Sequence, residues 1–340
     1  MSTILVTGGA GYIGSHILIE LAAAGHRCVC IDNYSNSSPR SIARVRALAP
    51  GALDAYELDI RDAGGLADLL SRHKVDGVIH MAGLKAVGES VEFPQRYHDN
   101  NVEGTRTLVA ALQSTSTRKF VFSSSATVYG TPQAVPITEE APTAPMSPYG
   151  ENKLEVEQML ATLARDDPSW RVMNLRYFNP VGAHPSGRIG EDPAGVPNNL
   201  MPYVCQVAAG RLEALRIFGN DYPTPDGTGV RDFIHVMDLA EGHVAALAAL
   251  ERVADGTVMT VNLGTGKGYS VLDLVTAFER ISGIPIAKRF VERRKGDIAA
   301  CYADPTLART ALGWQATRGI EEMCRDAWNW QRRNPAGYTD

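Results

Sequence analysis

The stretch Thr3-Ile4-Leu5-Val6-Thr7-Gly8-Gly9-Ala10-Gly11-Tyr12-Ile13-Gly14 decides how the rest of the chain is read. An apolar run without polar alternation, Thr3–Thr7, reads as a strand buried on both faces. It is followed by Gly8, Gly11 and Gly14 and then by a segment of helical period, Ile13–Ala24. Glycines at this spacing let the chain turn tightly, admit a pyrophosphate close to the backbone and pack helix on strand. The helix start offers that anion unpaired N–H groups and a positive dipole end. The glycines alone would also fit an ordinary tight turn, and the strand before and helix after favour a dinucleotide site. Asp32 ends the next strand, where a carboxylate can bond both ribose hydroxyls. An acid there repels a 2′-phosphate, so the spacing predicts NAD rather than NADP. Asp32 beside Asn33 also suits a strand-end turn.

Working outward, the same rhythm repeats. Arg27–Ile31, Leu53–Leu58, Asp76–Met81, Lys119–Ser123 and Trp170–Leu175 read as strands. Pro39–Leu48, Ala63–Arg72, Val91–Gln113 and Pro148–Arg165 read as helices. Strand and helix in alternation predict an α/β fold: a doubly wound, Rossmann-like parallel sheet with right-handed crossovers. After Tyr177 the rhythm breaks. Asn179–Pro202 and Gly219–Gly229 are rich in Pro and Gly, which excludes long helices and central strands and suggests loops that cover a ligand. A helix Asp238–Leu250 and a strand Val258–Leu263 read as a return to the main sheet. Helices Val271–Ile281 and Ile320–Gln331 and a strand near Ile286–Phe290 complete a smaller mixed α/β substrate domain. The predicted division is 1–177 with 235–263 for the NAD-binding part, and 178–234 with 264–340 for the other.

Composition fits a globular chain of 340 residues, 44% hydrophobic and 21% charged, so a sizeable core is expected and disorder is not. A net charge of −5 with scattered Lys and Arg gives no reason to expect a nucleic acid partner. The five cysteines, Cys28, Cys30, Cys205, Cys301 and Cys324, form no CxxC pair and have no His-rich neighbourhood, so no metal site is expected. A reducing cytoplasm is the simplest setting. No signal peptide and no membrane span are expected, because Thr3–Thr7 is already strand and no apolar run is long enough.

Tyr149-Gly150-Glu151-Asn152-Lys153 places a phenol and an ammonium four residues apart, on one face if helical. Ser147-Pro148 is a suitable opening for that helix. A phenol titrates near about 10, too high for a base at neutral pH, unless a neighbouring cation lowers it. A Tyr and a Lys four apart also arise by chance on exposed helices. Ser123-Ser124-Ser125-Ala126-Thr127 supplies the third element, a hydroxyl at the carboxyl end of a strand, where such sheets bind ligands. The three motifs together point to proton and hydride exchange at an alcohol carbon.

With these motifs in place, the sequence resembles the extended short-chain dehydrogenase/reductase family, and within it the branch that epimerises UDP-hexoses at carbon 4. VTGGAGYIGSH, HMAGLKAVGES (80–90), FSSSATVYG (122–130) and SPYGENK (147–153) carry the resemblance in the first half. LRYFNPVGAHPSG (175–187), NNLMPY (198–203), IFGNDYPTPDGTGVRDFIHVMDLA (217–240) and RRKGD (293–297) carry it onward. The resemblance implies that Tyr149 is the base at the sugar 4-hydroxyl, tuned by Lys153, with Ser125 as hydroxyl partner and Thr127 near the sugar. It implies NAD contacts at Gly8, Gly11, Tyr12, Ile13, Gly14, Asp32, Asn33 and Ser37. Further NAD contacts are implied at Asp59, Ile60, Lys85, Asn100, Ser125, Tyr149, Lys153 and Phe178. Asn179, Asn199, Phe218, Arg231, Arg294 and Asp297 are implied around a UDP-sugar, the arginines suiting a diphosphate.

A 4,6-dehydratase needs acids beside the strand-end hydroxyl, where this chain has Ala126 and Thr127. A UDP-uronate epimerase and a non-catalytic NAD-sensing regulator also compete; a regulator would not need an intact Ser125, Tyr149 and Lys153. Cys301 stands where hexose-restricted members carry Tyr. The small side chain suggests room for a 2-N-acetyl group, unless Tyr302 fills it, and hence activity on UDP-GlcNAc and UDP-GalNAc. The resemblance also implies a homodimer through Val91–Gln113 and Pro148–Arg165.

Overall fold

The computed structural model describes residues 1–340 apart from Ala52, Lys295 and Asp340, so Lys295 of the RRKGD block lies outside the described residues. The first half runs β1 (Thr3–Thr7), α1 (Tyr12–Ala23), β2 (Arg27–Asp32), α2 (Pro39–Leu48), β3 (Leu53–Glu57), α3 (Ala63–Arg72) and β4 (Gly77–His80). It continues with α4 (Val87–Glu92), α5 (Pro94–His98), α6 (Gly104–Gln113), β5 (Lys119–Ser125), α7 (Pro148–Asp166) and β6 (Arg171–Tyr177). Local chemistry sets several helix starts. Ser38 accepts from the Arg40 N–H and Asp62 from that of Gly65, while Ser147 accepts from Gly150 with Pro148 in the first turn.

The central sheet has seven strands in the order Val258–Leu263, β6, β5, β4, β1, β2, β3, every pair parallel. The strand Val258–Leu263 does return to the main sheet, with Val261 opposite Leu175 and Leu263 opposite Tyr177. The order reverses between β1 and β4, and the crevice of such sheets opens there, at the strands' carboxyl ends. One apolar layer joins Ile17, Leu21, Ile42, Leu239 and Leu247 to one face of the sheet. A second joins Leu66, Leu69, Leu108, Val156 and Leu160 to the other. A third cluster, around Val204, Phe233, Phe278 and Met323, forms away from this sheet.

Three expectations change. The single helix Val91–Gln113 is broken: α4 ends at Glu92, Pro94 starts α5, and a π-turn at Asp99–Glu103 precedes α6. Proline lacks the N–H that would continue the ladder, and π-turns recur at functional sites. A helix Leu200–Ala208 begins inside the Pro/Gly-rich segment, with Pro202 tolerated in its first turn. A strand Leu215–Phe218, not expected from the sequence, pairs in parallel with Lys288–Val291, the strand expected near Ile286–Phe290.

Candidate active site

The dinucleotide loop is made of backbone. Gly8 has φ +68°, and a Cβ there would stand 2.8 Å from the Ala82 nitrogen. A Cβ at Gly14 would stand 2.3 Å from the Gly8 oxygen and 2.7 Å from the Gly9 Cα. Gly11 caps α1 without any side chain. This is a cradle that side chains would fill, and it fits the pyrophosphate of a dinucleotide. Asp32, buried at the end of β2, accepts from the Ala10 N–H (3.0 Å), the Tyr34 N–H (2.9 Å) and the Ser37 hydroxyl (2.8 Å). The Tyr12 hydroxyl donates to the Gly182 carbonyl (2.7 Å), tying α1 to the segment after β6, and Ile13 packs against the same core.

Along the crevice, Asn33 donates to Asp59 (2.8 Å) and Arg61 donates to both Asp59 oxygens (2.8 and 2.7 Å). Arg61 first, and Asn33 with it, holds the Asp59 carboxyl well below the usual carboxylate range. Ile60 is buried in the core. Lys85 (3.2 Å) and Asn199 (2.7 Å) both donate to Glu191 Oε1, a residue that no sequence motif singles out. Asn100 lies in the π-turn, half-buried. Its neighbour Asn101 is the buried one: it accepts from the Leu84 N–H (2.7 Å) and donates to the Leu84 carbonyl (3.0 Å). The paired asparagines give no sign in the sequence of which one faces inward, because that depends on the π-turn.

Ser125, Tyr149 and Lys153 come together where β5 meets α7, each less than a tenth exposed. The strand separates the three serines. Ser123 Oγ lies 3.0 Å from His243 Nε2, and Ser124 donates to Glu157. Ser125 stands near enough to the Tyr149 phenol to favour its ionised form, and its oxygen accepts from the Thr127 N–H (3.2 Å) and hydroxyl (3.0 Å). The Tyr149 N–H donates to Ser90 Oγ (3.2 Å). Lys153 Nζ donates to the Ser123 carbonyl (2.8 Å) and sits 4.8 Å from the Phe122 ring centroid and 5.8 Å from that of Tyr149.

Burial pushes the Tyr149 phenol up to about 12, with the Ser125 hydrogen bond pulling the other way. Burial likewise pulls the Lys153 ammonium down to about 8, opposed by Glu157 one helical turn further on. The protein's own groups therefore hold the phenol protonated at neutral pH, and lowering it takes added positive charge at its face.

At the far end of the crevice, Arg231 pairs with Asp297 and donates to the Ile298 carbonyl (2.9 Å). The Arg294 guanidinium lies 3.8 Å from the Phe218 ring centroid, and Arg216, which the sequence motifs do not include, lies 5.3 Å from the same ring. Burial weakens the hold of Arg294 on its proton, and Arg231 and Arg216 add like charge. An anion at this end would relieve that repulsion. Asn179 is exposed beside buried Phe178. Cys301 packs against the apolar cluster of Ala126, Tyr129, Phe178 and Ala303, and burial raises its thiol to about 11. Tyr302 turns the other way, its ring 3.0 Å from where a Cβ on Gly268 would stand.

The model of the NAD dependent epimerase/dehydratase family matches residues 4–264. A UDP-glucose 4-epimerase of Bacillus subtilis (strain 168) is 56% identical over 336 residues, covering 98% of each chain. The crystal structure of UDP-glucose-4-epimerase from Stenotrophomonas maltophila, with bound NAD and formylated UDP-arabinopyranose, superimposes with TM-score 0.96 at 49% identity, covering 98% of this chain and 99% of that one. That of the Bifidobacterium longum UDP-glucose 4-epimerase, in complex with NAD+ and UDP, gives TM-score 0.95 at 50% identity, covering 99% and 100%.

Proposed function

The chain belongs to the NAD dependent epimerase/dehydratase family, and on that premise we propose that it interconverts UDP-glucose and UDP-galactose at sugar carbon 4 through a transient 4-keto intermediate. One observation carries the reading: Ser125, Tyr149 and Lys153 are buried together at the sheet edge onto which the glycine cradle opens. The full-length likeness to UDP-glucose 4-epimerases supports it.

NAD is the cofactor; when bound it supplies a hydride acceptor and, oxidised, a positive charge beside the phenol. The loop Gly8, Gly11 and Gly14 would hold its pyrophosphate and Asp32 its adenosine ribose. Tyr12, Ile13, Asn33, Ser37, Asp59, Ile60, Lys85, Asn100 and Phe178 would line its path. Tyr149 takes the proton of the sugar 4-hydroxyl, and Ser125 donates to the reacting oxygen. Lys153 contributes positive charge near the phenolate and holds the nicotinamide ribose. Arg231, Arg294, Phe218, Asn179, Asn199 and Asp297 anchor the UDP, so the ring can turn over while its remote group stays bound. Thr127 faces the sugar. Both directions return the hydride, so no net oxidation follows.

Three finer readings go with this. Residues 1–177 and 235–263 form the NAD-binding part and the remainder binds the UDP-sugar, supported by the return of Val258–Leu263 to the sheet and by the separate core around Phe278. The chain works as a homodimer through Val91–Gln113, the stretch that includes α5, the π-turn and α6, and through Pro148–Arg165 of α7. Its setting is cytoplasmic, supported by the five free cysteines. No helix among the described residues is long and apolar enough to cross a membrane.

The small side chain at Cys301 supports a reading with room beside the sugar 2-substituent, and the contact of the Tyr302 ring with the Gly268 position favours it. We therefore extend the substrate range to UDP-GlcNAc and UDP-GalNAc. The test of the whole reading is UDP-galactose turnover by the purified protein together with the Tyr149→Phe variant. Turnover lost with NAD retained is expected; a fully active variant would overturn the assignment.

A further inference from the structure

Helix α7 carries a third polar residue in the same register as Tyr149 and Lys153. Residues four apart stack on one helix face, and Glu157 is the next in that row. It is 6% exposed. Arg176, on β6 and 7% exposed, donates to it from Nε (2.9 Å) and again from Nη2 (2.5 Å). Ser124, on β5 and wholly buried, donates to Glu157 as well. The Arg176 guanidinium lies 4.9 Å from the Tyr129 ring centroid. The carboxylate thus ties together the helix that carries Tyr149 and Lys153, the strand that ends in Ser125, and the next strand.

A buried ion pair is weak ground for a stability role, since desolvation offsets most of its attraction. Its place beside the trio suggests another use. We propose that Glu157, partnered by Arg176, is a positioning residue of the catalytic trio: its carboxylate keeps Lys153 a cation and fixes α7 against β5, so that Tyr149 meets Ser125. This rests on the trio being the site of the reaction proposed above.

The other groups around Lys153 and the ion pair leave this role to Glu157. Tyr149 faces Lys153 from its own helix. His80, on β4, is driven down to about 3 by burial and is neutral at working pH. Tyr177, on β6, is raised by burial first and by its neighbour Tyr149 second, so it stays neutral. Tyr129 and Glu139 face Arg176 rather than Lys153. Glu157 is the one carboxylate, among the described residues, that opposes the effect of burial on Lys153.

The test uses the full chain with NAD bound and reads Lys153 directly, by NMR titration of lysine-labelled protein, with kcat against pH as the second readout. Removing the carboxylate in E157Q leaves Arg176 unpaired and favours loss of the Lys153 proton. The Lys153 midpoint should fall by about half a unit or more, and the alkaline limb of the kcat profile should move the same way. R176Q leaves an uncompensated carboxylate, so both readouts should move to higher pH; E157D should stay near the parent. Opposite shifts in the two variants are what a merely structural pair would not give. A Lys153 midpoint unmoved in both variants, or displaced in the same direction by both, would overturn the inference. Should E157Q not fold, R176Q carries the test alone. A parent without turnover would sink the reading of the function, and the titration would still decide the role of Glu157.

Discussion

The two ends of the crevice are built by different means. At the end proposed for the dinucleotide the walls are backbone, and Gly8 and Gly14 leave no room even for a methyl group. At the end proposed for the nucleotide-sugar they are long side chains: Arg294 and Arg216 over Phe218, and Arg231 paired with Asp297. A backbone wall cannot yield, so changes there should be all or nothing. A side-chain wall can lose one member and keep the others, so changes there should be graded. Between the two lies the trio, where a single missing atom should remove the chemistry and leave both walls standing.

The largest effect should come at the rigid end. Gly14→Val would drive its Cβ into the Gly8 carbonyl and the Gly9 Cα, and overpacking of this kind costs about 1–3 kcal/mol or more. The purified variant should carry no retained NAD, measured as nucleotide released on denaturation; a normal load would break the contrast.

Next comes Tyr149→Phe. General base catalysis contributes roughly 10²–10⁴-fold, and kcat should drop by that order while NAD content stays at the parent level. Equal loss of both would place Tyr149 in the wall rather than in the chemistry.

Arg294→Ala tests the graded end. A hydrogen bond to a charged group is worth about 1.5–3 kcal/mol, so KM for UDP-galactose should rise roughly 10–100-fold with kcat changed little. A kcat loss as large as that of Tyr149→Phe would mean that the arginine does more than anchor.

The smallest effect on plain hexoses belongs to Cys301→Tyr. Turnover of UDP-glucose should stay within about threefold, consistent with a pocket that holds UDP at its other end. The kcat/KM ratio of N-acetylated to plain sugar should fall at least tenfold, about 1.4 kcal/mol. An unchanged ratio would show that the 2-substituent lies elsewhere.

Much of this is legible in the sequence because it is local. Strand, glycines and helix follow one another at the very start of the chain, and a short continuous apolar run bounded by glycines reads as a strand covered on both sides. Tyr149 and Lys153 stand four apart on a helix whose cap, Ser147-Pro148, is written beside them. Where contacts are distant in sequence, the pattern says less. Val91–Gln113 has one apolar period, and that period does not reveal that Pro94 and the π-turn divide it. Glu191 looks like any acid in a Pro/Gly-rich segment until it meets Lys85 across the fold. Arg216 looks like a surface cation until Leu215–Phe218 becomes a strand and brings it to Arg294.

The sequence by itself determined the fold class, the preference for NAD and the candidates for the reacting groups, because each depends on spacing along one strand or one helix. The tertiary structure decided which of the three serines serves Tyr149, which of two asparagines faces inward, and that burial holds the phenol up. Orientation and desolvation depend on what packs against a residue, and here that packing comes from segments far along the chain.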